Sequence, residues 1–379
     1  MAQTNSLPLI ASVFGPVLLG AAVACSEDLY QRKLYENFDG GTFSETGGLY
    51  YRDNEEQRAG VAEFQSEIKR NGTGSIKLTV RPNCEEALVR CSERAEIWEH
   101  TRLRVPYDRG VWYGFAVKFG APHPVNDERY LIAQWKREIG PTAQGDFSPF
   151  LGFRYTGGNL SVTVETNHDS SGSTRALNGI CPDGTSPVWL RPETRQMRVL
   201  AVAPPDWDPS SEYRYRYCTP KVTITDRGAK LPHPSKGWMH FAVYSQPDPD
   251  GSGHIEIFSD GEWIVTVRGA IGHADEGLGK NQYFKFGPYR DGTSENWVMY
   301  YDDFVRSSRC EDVLGDAEKC SRVHALTGPK SPLSASEQKR CSDAPEARCT
   351  ISSDTHDKST ANLESPESPK FSGPETASD

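Results

Sequence analysis

Apolar and polar residues alternate with a period of two in many short stretches between residues 34 and 306. That period belongs to β-strands with one face buried. The clearest stretch is Tyr283-Phe284-Lys285-Phe286-Gly287-Pro288-Tyr289-Arg290. As a strand it sends Phe284 and Phe286 into a core and turns Tyr283, Lys285, Gly287 and Tyr289 the other way. Gly287 leaves a bare position in that row, which predicts room for a bulky ligand to approach the backbone. Two phenols and an ammonium on one face suit an anionic, hydroxylated polymer. An ordinary amphipathic surface strand has the same pattern, so both readings stay open.

Further strands are expected at 34–38, with a turn at Asp39-Gly40-Gly41, and at 75–81 and 93–99. In the last of these Ala95 and Ile97 face inward, and Arg94, Glu96 and Trp98 face the opposite side. An aromatic strand at 110–119 precedes one at 130–137, where Ile132, Gln134 and Lys136 share a face. Residues 150–155 and 159–166 form a hairpin around Thr156-Gly157-Gly158. Residues 168–235 break the rhythm with Pro, Ser, Arg and Tyr, and read as a long insertion that rims a groove. Strands resume at 238–244, 254–258 and 263–267, the last pair joined by Asp260-Gly261, and end at 297–305. No comparable helical period is present. The pattern predicts an all-β protein, a sandwich or jelly roll. From 325 to 379 the composition turns to Ser, Pro, Glu, Lys and Thr, the signature of a disordered polar tail.

Composition narrows the classes of function. The 379 residues carry a formal net charge of −10, which argues against nucleic acid as a partner and confines any polyanion site to a local basic patch. Residues 7–24 are apolar and end in Ala22-Val23-Ala24, so residues 1–24 read as a secretion signal and the segment 25–324 as the folded domain. No later stretch is apolar enough to span a membrane. Eight of the nine cysteines group as sequence neighbours, 84 with 91, 181 with 218, 310 with 320 and 341 with 349, which suggests local disulfides in an exported protein. Cys25 is left over, directly after the predicted cleavage point, and offers a lipid anchor. None of the spacings is that of a zinc site.

Three segments in one order carry a resemblance. They are Arg94-Ala95-Glu96-Ile97, Gln134-Trp135-Lys136 and Tyr283-Phe284-Lys285-Phe286-Gly287-Pro288-Tyr289. They resemble the Arg-x-Glu-Leu, Gln-x-His and Tyr-Phe-Lys-x-Gly-x-Tyr motifs of jelly-roll polysaccharide lyases, a group that includes alginate, glucuronan and heparin lyase I-like proteins. Gly237-Trp238-Met239-His240-Phe241, the Asp250-Gly251 loop, the Asp260-Gly261 hairpin and Tyr301-Asp302-Asp303 also look like the heparin lyase I-like family. The resemblance implies a concanavalin-like jelly-roll β-sandwich of two curved antiparallel sheets, and β-elimination at a uronic acid. It implies Tyr289 as the catalytic phenol, with Arg94, Gln134 and Lys285 on the substrate carboxylate and neighbouring hydroxyls. Lys136 stands where the family often has His, so a mechanism that needs an imidazole there is in doubt, whereas a phenol mechanism is not. Tyr283, Glu96 and Arg290 complete the expected substrate-binding set.

The chemistry of the residues agrees with these roles. Removing the C5 proton of a uronate builds charge beside an existing carboxylate, so cationic and amide donors must absorb it. Arg94 brings a fork of donors and Gln134 a neutral one. Cations at Lys285 and Lys136 would favour a phenolate at Tyr289, which could then return the proton to the leaving oxygen. His240 reads as structural, and His168 as a weaker candidate base. Asp302 and Asp303, with the Asp39 turn, read as a charged strand end or a structural calcium site; no other cofactor is expected. The partner expected is an acidic polysaccharide, met by a monomer. A non-catalytic lectin on the same fold stays open. A glycoside hydrolase ranks last, because no Glu-x-Asp-x-Glu strand supplies two facing carboxylates.

Overall fold

The alternating stretches become two antiparallel sheets in the computed structural model, which describes residues 30–327 except 53–57, 85–90, 127, 145–146, 178 and 210–213. These residues lie in one of the chain's two units, Val23–Lys330. The strands begin with β1 (Leu34–Glu36), β2 (Leu49–Tyr51), β3 (Gly60–Gln65), β4 (Ser75–Val80), β5 (Ser92–Arg94), β6 (Ile97–Glu99) and β7 (Val105–Pro106). They continue with β8 (Val111–Phe119), β9 (Tyr130–Ile139), β10 (Leu151–Thr156), β11 (Asn159–Asn167), β12 (Thr174–Arg175), β13 (Ser186–Arg191) and β14 (Gln196–Val202). The last are β15 (Tyr217–Thr219), β16 (Val222–Asp226), β17 (Met239–Gln246), β18 (Asp248–Ser259), β19 (Glu262–Ile271), β20 (Leu278–Asp291) and β21 (Trp297–Ser307).

The nine-stranded sheet runs β16-β19-β18-β17-β8-β21-β4-β3, with β1 also on β21. The twelve-stranded sheet runs β12-β15-β13-β14-β11-β10-β9-β20-β6-β2, with β5 and β7 also on β20. Stacked face to face, they form the expected jelly-roll β-sandwich. Phe284 and Phe286 of β20 do point into its core. Phe284 stacks on Phe304 of the other sheet at 6.1 Å, and Phe286 lies 6.3 Å from Phe115. One charged pair crosses the same core: Arg306 donates to Glu99 at 2.8 Å, both side chains fully buried. Burying such a pair is costly unless the remaining lone pairs are satisfied. Here Glu99 also accepts the Phe284 backbone N–H at 2.6 Å.

Four sequence expectations change. The stretch 93–99 is not one strand, because β5 and β6 are separated at Ala95-Glu96. Ile132 does not share a face with Gln134 and Lys136: the ladder between β9 and β10 slips there, and Ile132 joins the core. Residues 168–235 are no insertion outside the sandwich. They supply β12 to β15, which extend the large sheet, and β16 at the edge of the small one. Helices are present too, α1 (Glu311–Leu314) and α2 (Ala317–Thr327), so the folded segment passes the expected boundary at 324. Val313 and Val323 of these helices cover Trp112, Phe258 and Trp263 on the outer side of the small sheet. Three expected disulfides form, Cys84–Cys91, Cys181–Cys218 and Cys310–Cys320. Cys25, Cys341, Cys349, the predicted signal and most of the tail lie outside the described residues. Among the described residues no helix is long and apolar enough to cross a membrane.

Candidate active site

The outer face of the large sheet collects most of the residues singled out above. β20 lies between β9 on one side and β5 and β6 on the other. In register, Lys285 is opposite Gln134 and Trp98, and Tyr289 is opposite Leu131 and Arg94. Strand alternation therefore brings residues from three distant stretches onto one surface.

Glu96 is the centre of the cluster. Its buried carboxylate accepts from Lys285 Nζ at 2.8 Å, from Arg94 Nη1 at 3.4 Å and from the Gln134 amide. Burial alone would raise its pKa, but the charges of Lys285 and Arg94 outweigh that and hold it below the ordinary carboxylate value. Lys285 is shifted the other way. Burial strips water from its ammonium and, with repulsion from Arg94 and Lys136, overcomes the attraction of Glu96, so its pKa falls to about 7. The same ammonium lies 4.3 Å from the centre of the Trp98 ring.

Arg94 joins this cluster to Tyr289. Its guanidinium touches Glu96 and also lies 4.1 Å from the centre of the Tyr289 ring. A second guanidinium, from Arg129, lies 5.0 Å from the same ring and pairs with Asp291. The cations packed against the phenol are thus Arg94 and Arg129, where the sequence suggested Lys285 and Lys136. Tyr289 and Lys136 are half-buried, whereas Gln134 and Lys285 are buried with their donors turned to Glu96.

Two expected binding residues are placed differently. Arg290 points to the other side of β20 and is 1% exposed, in an ion pair with Glu93 at 2.8 Å. It has no surface to offer a polymer. Tyr283 keeps its place on the outer face but is covered: Trp98 stacks on it at 5.6 Å, and Arg104 lies 4.3 Å from its ring centre. Burial pushes its phenol pKa up, so Tyr283 stays protonated at neutral pH. Glu96 meets its own chain's cations and does not face a ligand alone.

Gly287 is required for a different reason from the one expected. Its φ is +132°, and a Cβ there would lie 2.1 Å from the Ala95 carbonyl oxygen. The close approach is that of the neighbouring strand, and the Ala95 N–H donates to the Pro288 carbonyl at 2.9 Å. This contact fills the break between β5 and β6 and sets Arg94 beside Tyr289.

The histidines lie elsewhere. His240 belongs to the small sheet, where burial lowers its pKa to about 4. His168 follows β11 and donates its backbone N–H to the Arg195 carbonyl. The carboxylates considered for calcium are taken up by one loop. Asp302 accepts the N–H groups of Arg70 and Asn71, and Asp39 accepts those of Thr73 and Gly74. Among the described residues no group of three or more His, Cys, Asp or Glu could hold a metal ion.

A second cluster on the same face escaped the sequence reading. Glu165 of β11 is fully buried and accepts from Arg198 Nε at 2.6 Å, Arg154 Nη2 at 3.2 Å and Arg191 Nη1 at 3.3 Å. Beside it, His273 is buried with its Nε2 3.2 Å from the Ser148 carbonyl oxygen. Strand parity in the hairpin already put Arg154 and Glu165 on one face. What the sequence lacked was the arrival of β14 and β13, whose residues lay in the presumed insertion.

Comparison with known protein families matches residues 38–305 to the family described as polysaccharide lyase. No curated protein matches at a significant level. Among solved structures, the chain is similar to an endo-beta-1,4-glucuronan lyase from the fungus Trichoderma reesei. The identity is 16% and the TM-score 0.48, over 74% of this chain and 96% of that one. It is also similar to the cellulose induced protein Cip1, with 15% identity and a TM-score of 0.39 over 73% of this chain and 97% of that one. For the alginate lyase Aly36B the identity is 10% and the TM-score 0.34, over 73% and 97% of the two chains.

Proposed function

We propose that this chain, which belongs to the polysaccharide lyase family, cleaves a uronate-containing polysaccharide by β-elimination with Tyr289 as its proton carrier. The observation that carries the reading is the position of Arg94. Its guanidinium lies against both the Tyr289 ring and the Glu96 carboxylate. One cation thus links a half-exposed phenol to a set of buried, fixed donors.

In the proposed step the ionised Tyr289 oxygen takes the proton from C5 of the uronate. Electrons of the C5–H bond move into the carboxylate-stabilised carbanion, then form the C4=C5 double bond as the C4–O4 bond breaks. Tyr289, now protonated, gives that proton to the leaving O4. Protons and electrons balance without a redox partner. Arg94 and the half-exposed Lys136 meet the substrate carboxylate and absorb the charge that develops on it. Gln134 and Lys285 act from below: by anchoring Glu96 they fix Arg94, so little reorganisation is needed during reaction. Arg129 holds the other contact to the ring. The position that the family often fills with His is occupied here by Lys136, which supplies charge and no imidazole. The heparin lyase I-like branch is the subfamily its motifs resemble, and a monomer acting on one polymer at a time is the simplest working unit.

The same reading makes the protein an extracellular enzyme. Three disulfides in the described residues fit an oxidising compartment, and residues 1–24 would direct export, with lipid attachment at Cys25 as the anchored variant. The test is a panel of polyuronates incubated with the full chain while ultraviolet absorbance of unsaturated uronate is followed. Growth of that absorbance on one member of the panel supports the lyase. Saturable binding without product would replace it by a lectin on the same fold.

A further inference from the structure

The cluster around Glu165 has a charge balance that the proposed reaction does not use. Val188 and Met197 belong to the core, so alternation turns Trp189, Arg191 and Arg198 to the outer face, where Glu165 and Arg154 also lie. Trp189 gathers cations. The guanidinium carbons of Arg191, Arg198 and Arg214 lie 5.1, 5.3 and 5.4 Å from its ring centre. Arg154 is buried in the same cluster, paired with Glu165. Burial first, then repulsion from Arg198, lowers its pKa to about 9 despite the attraction of Glu165. Three guanidiniums thus share the single carboxylate of Glu165, an excess of positive groups within the cluster. Glu193, 4.0 Å from Arg191 and largely exposed, adds little against it.

The place of this excess is as informative as its size. Four strand-to-strand steps separate β20 from β14, or about 19 Å at ~4.8 Å per step. The charges of Arg129, which rests on Tyr289, and of Arg198 both act on Arg154, so basic groups follow one another between the two clusters. A polymer lying across the strands from Tyr289 would meet Arg154 and then the Trp189 group.

We propose that Arg154, Arg191, Arg198 and Arg214, ordered by Trp189 and Glu165, form a second anionic subsite that holds the carboxylate of another acidic sugar in the same chain, several units from the cleavage point. The proposal rests on the polyuronate reading above. It adds a substrate requirement: acidic groups must recur along the polymer, so a single uronate in a neutral glycan is a poor ligand. It also gives the 168–235 segment a role, because β13, β14 and Arg214 all come from it.

The test uses the full chain with glucuronate oligomers from dimer to octamer, or mannuronate oligomers if the first series does not bind. Arg214→Gln alters an exposed residue and should leave the fold intact; Trp189→Leu releases the gathered guanidiniums. Affinity is read by calorimetry with Tyr289→Phe in the background, so that no cleavage disturbs it. The expected result is a loss that grows with length, reaching about tenfold on the octamer, the worth of one charge-assisted contact. The wild-type affinity gained between dimer and octamer should also fall steeply with salt. An equal loss at every length, or no loss on the octamer, would overturn the subsite. If the wild type cleaves nothing but binding keeps this length dependence, the lyase reading fails and the subsite stands. If cleavage proceeds and both variants bind the octamer as tightly as their parent, the reverse holds.

Discussion

Arg94 is the residue on which the site turns, and Glu96 is what fixes it. Replacing Glu96 by Gln keeps an acceptor of the same shape but removes the charge that Arg94 and Lys285 share. Breaking one side of a buried ion pair costs about 3–5 kcal/mol, so denaturant unfolding should show a loss of that order. The loss should depend on pH. The native pKa of Lys285 is lowered to about 7 from 10.5, so between those values the unfolded chain binds more protons. Its contribution therefore becomes more favourable as pH rises across that window. Glu96→Gln should cost more near pH 6, where Lys285 keeps its proton, than near pH 9, where it has shed it; equal losses at both would contradict the ion-pair account. Arg94, Glu96, Gln134 and Lys285 were legible in the sequence because period-two alternation sorts each onto the same face. Arg129 was not, since its partner Asp291 lies 162 residues away and nothing local marks the pair. Arg290 was misread for a different reason: parity already put it on the face away from Tyr289, but it was grouped with the binding residues of the resembling motif, and the structure pairs it with Glu93 on that other face.

Among the elements, β20 and the break between β5 and β6 set the register of the site. Gly287→Ala should be severe. It places a Cβ 2.1 Å from the Ala95 carbonyl oxygen at a φ of +132°. Backbone strain of this kind costs about 1–3 kcal/mol, and relief requires the two strands to separate. The thermal midpoint should fall, and activity should fall further, because Arg94 and Tyr289 sit on the strands that move apart. A Gly287→Ala protein with wild-type activity would show that this register is not needed. The Glu165 cluster predicts a second behaviour, at low pH. The Arg198, Arg154 and Arg191 charges outweigh burial and hold Glu165 below its ordinary value of 4.5. A depressed native pKa gives stability that is present above the ordinary value and lost as pH falls through the native one. The thermal midpoint should therefore drop below about pH 4.5, and Glu165→Gln should start lower and lose less on acidification. Most strands were readable, since each has one core face and one outer face. The segment from 168 to 235 was not, because its strands are short and polar at the outer positions and separated by Pro-rich connections.

For the whole molecule, the sandwich followed from many short alternating stretches, whereas its closing helices did not. α2 has eleven residues and a weak apolar stripe, and it is fixed by the Cys310–Cys320 disulfide and by Val323 on the small sheet. Replacing both cysteines by Ser should lower unfolding free energy by about 2–4 kcal/mol, measured in denaturant. A change within ~0.5 kcal/mol would show that packing alone holds the helix. The proposed function rests on the basic outer face of the large sheet, and that face is judged most directly by its phenol. Tyr289→Phe keeps the ring that Arg94 and Arg129 pack against and removes only the hydroxyl. The deciding measurement compares wild type and Tyr289→Phe on the polyuronate that the wild type cleaves, by product absorbance and by equilibrium binding. The account predicts turnover lower by about two orders of magnitude or more with affinity nearly unchanged, the usual worth of a positioned acid–base group. Cleavage by Tyr289→Phe at the wild-type rate would contradict it.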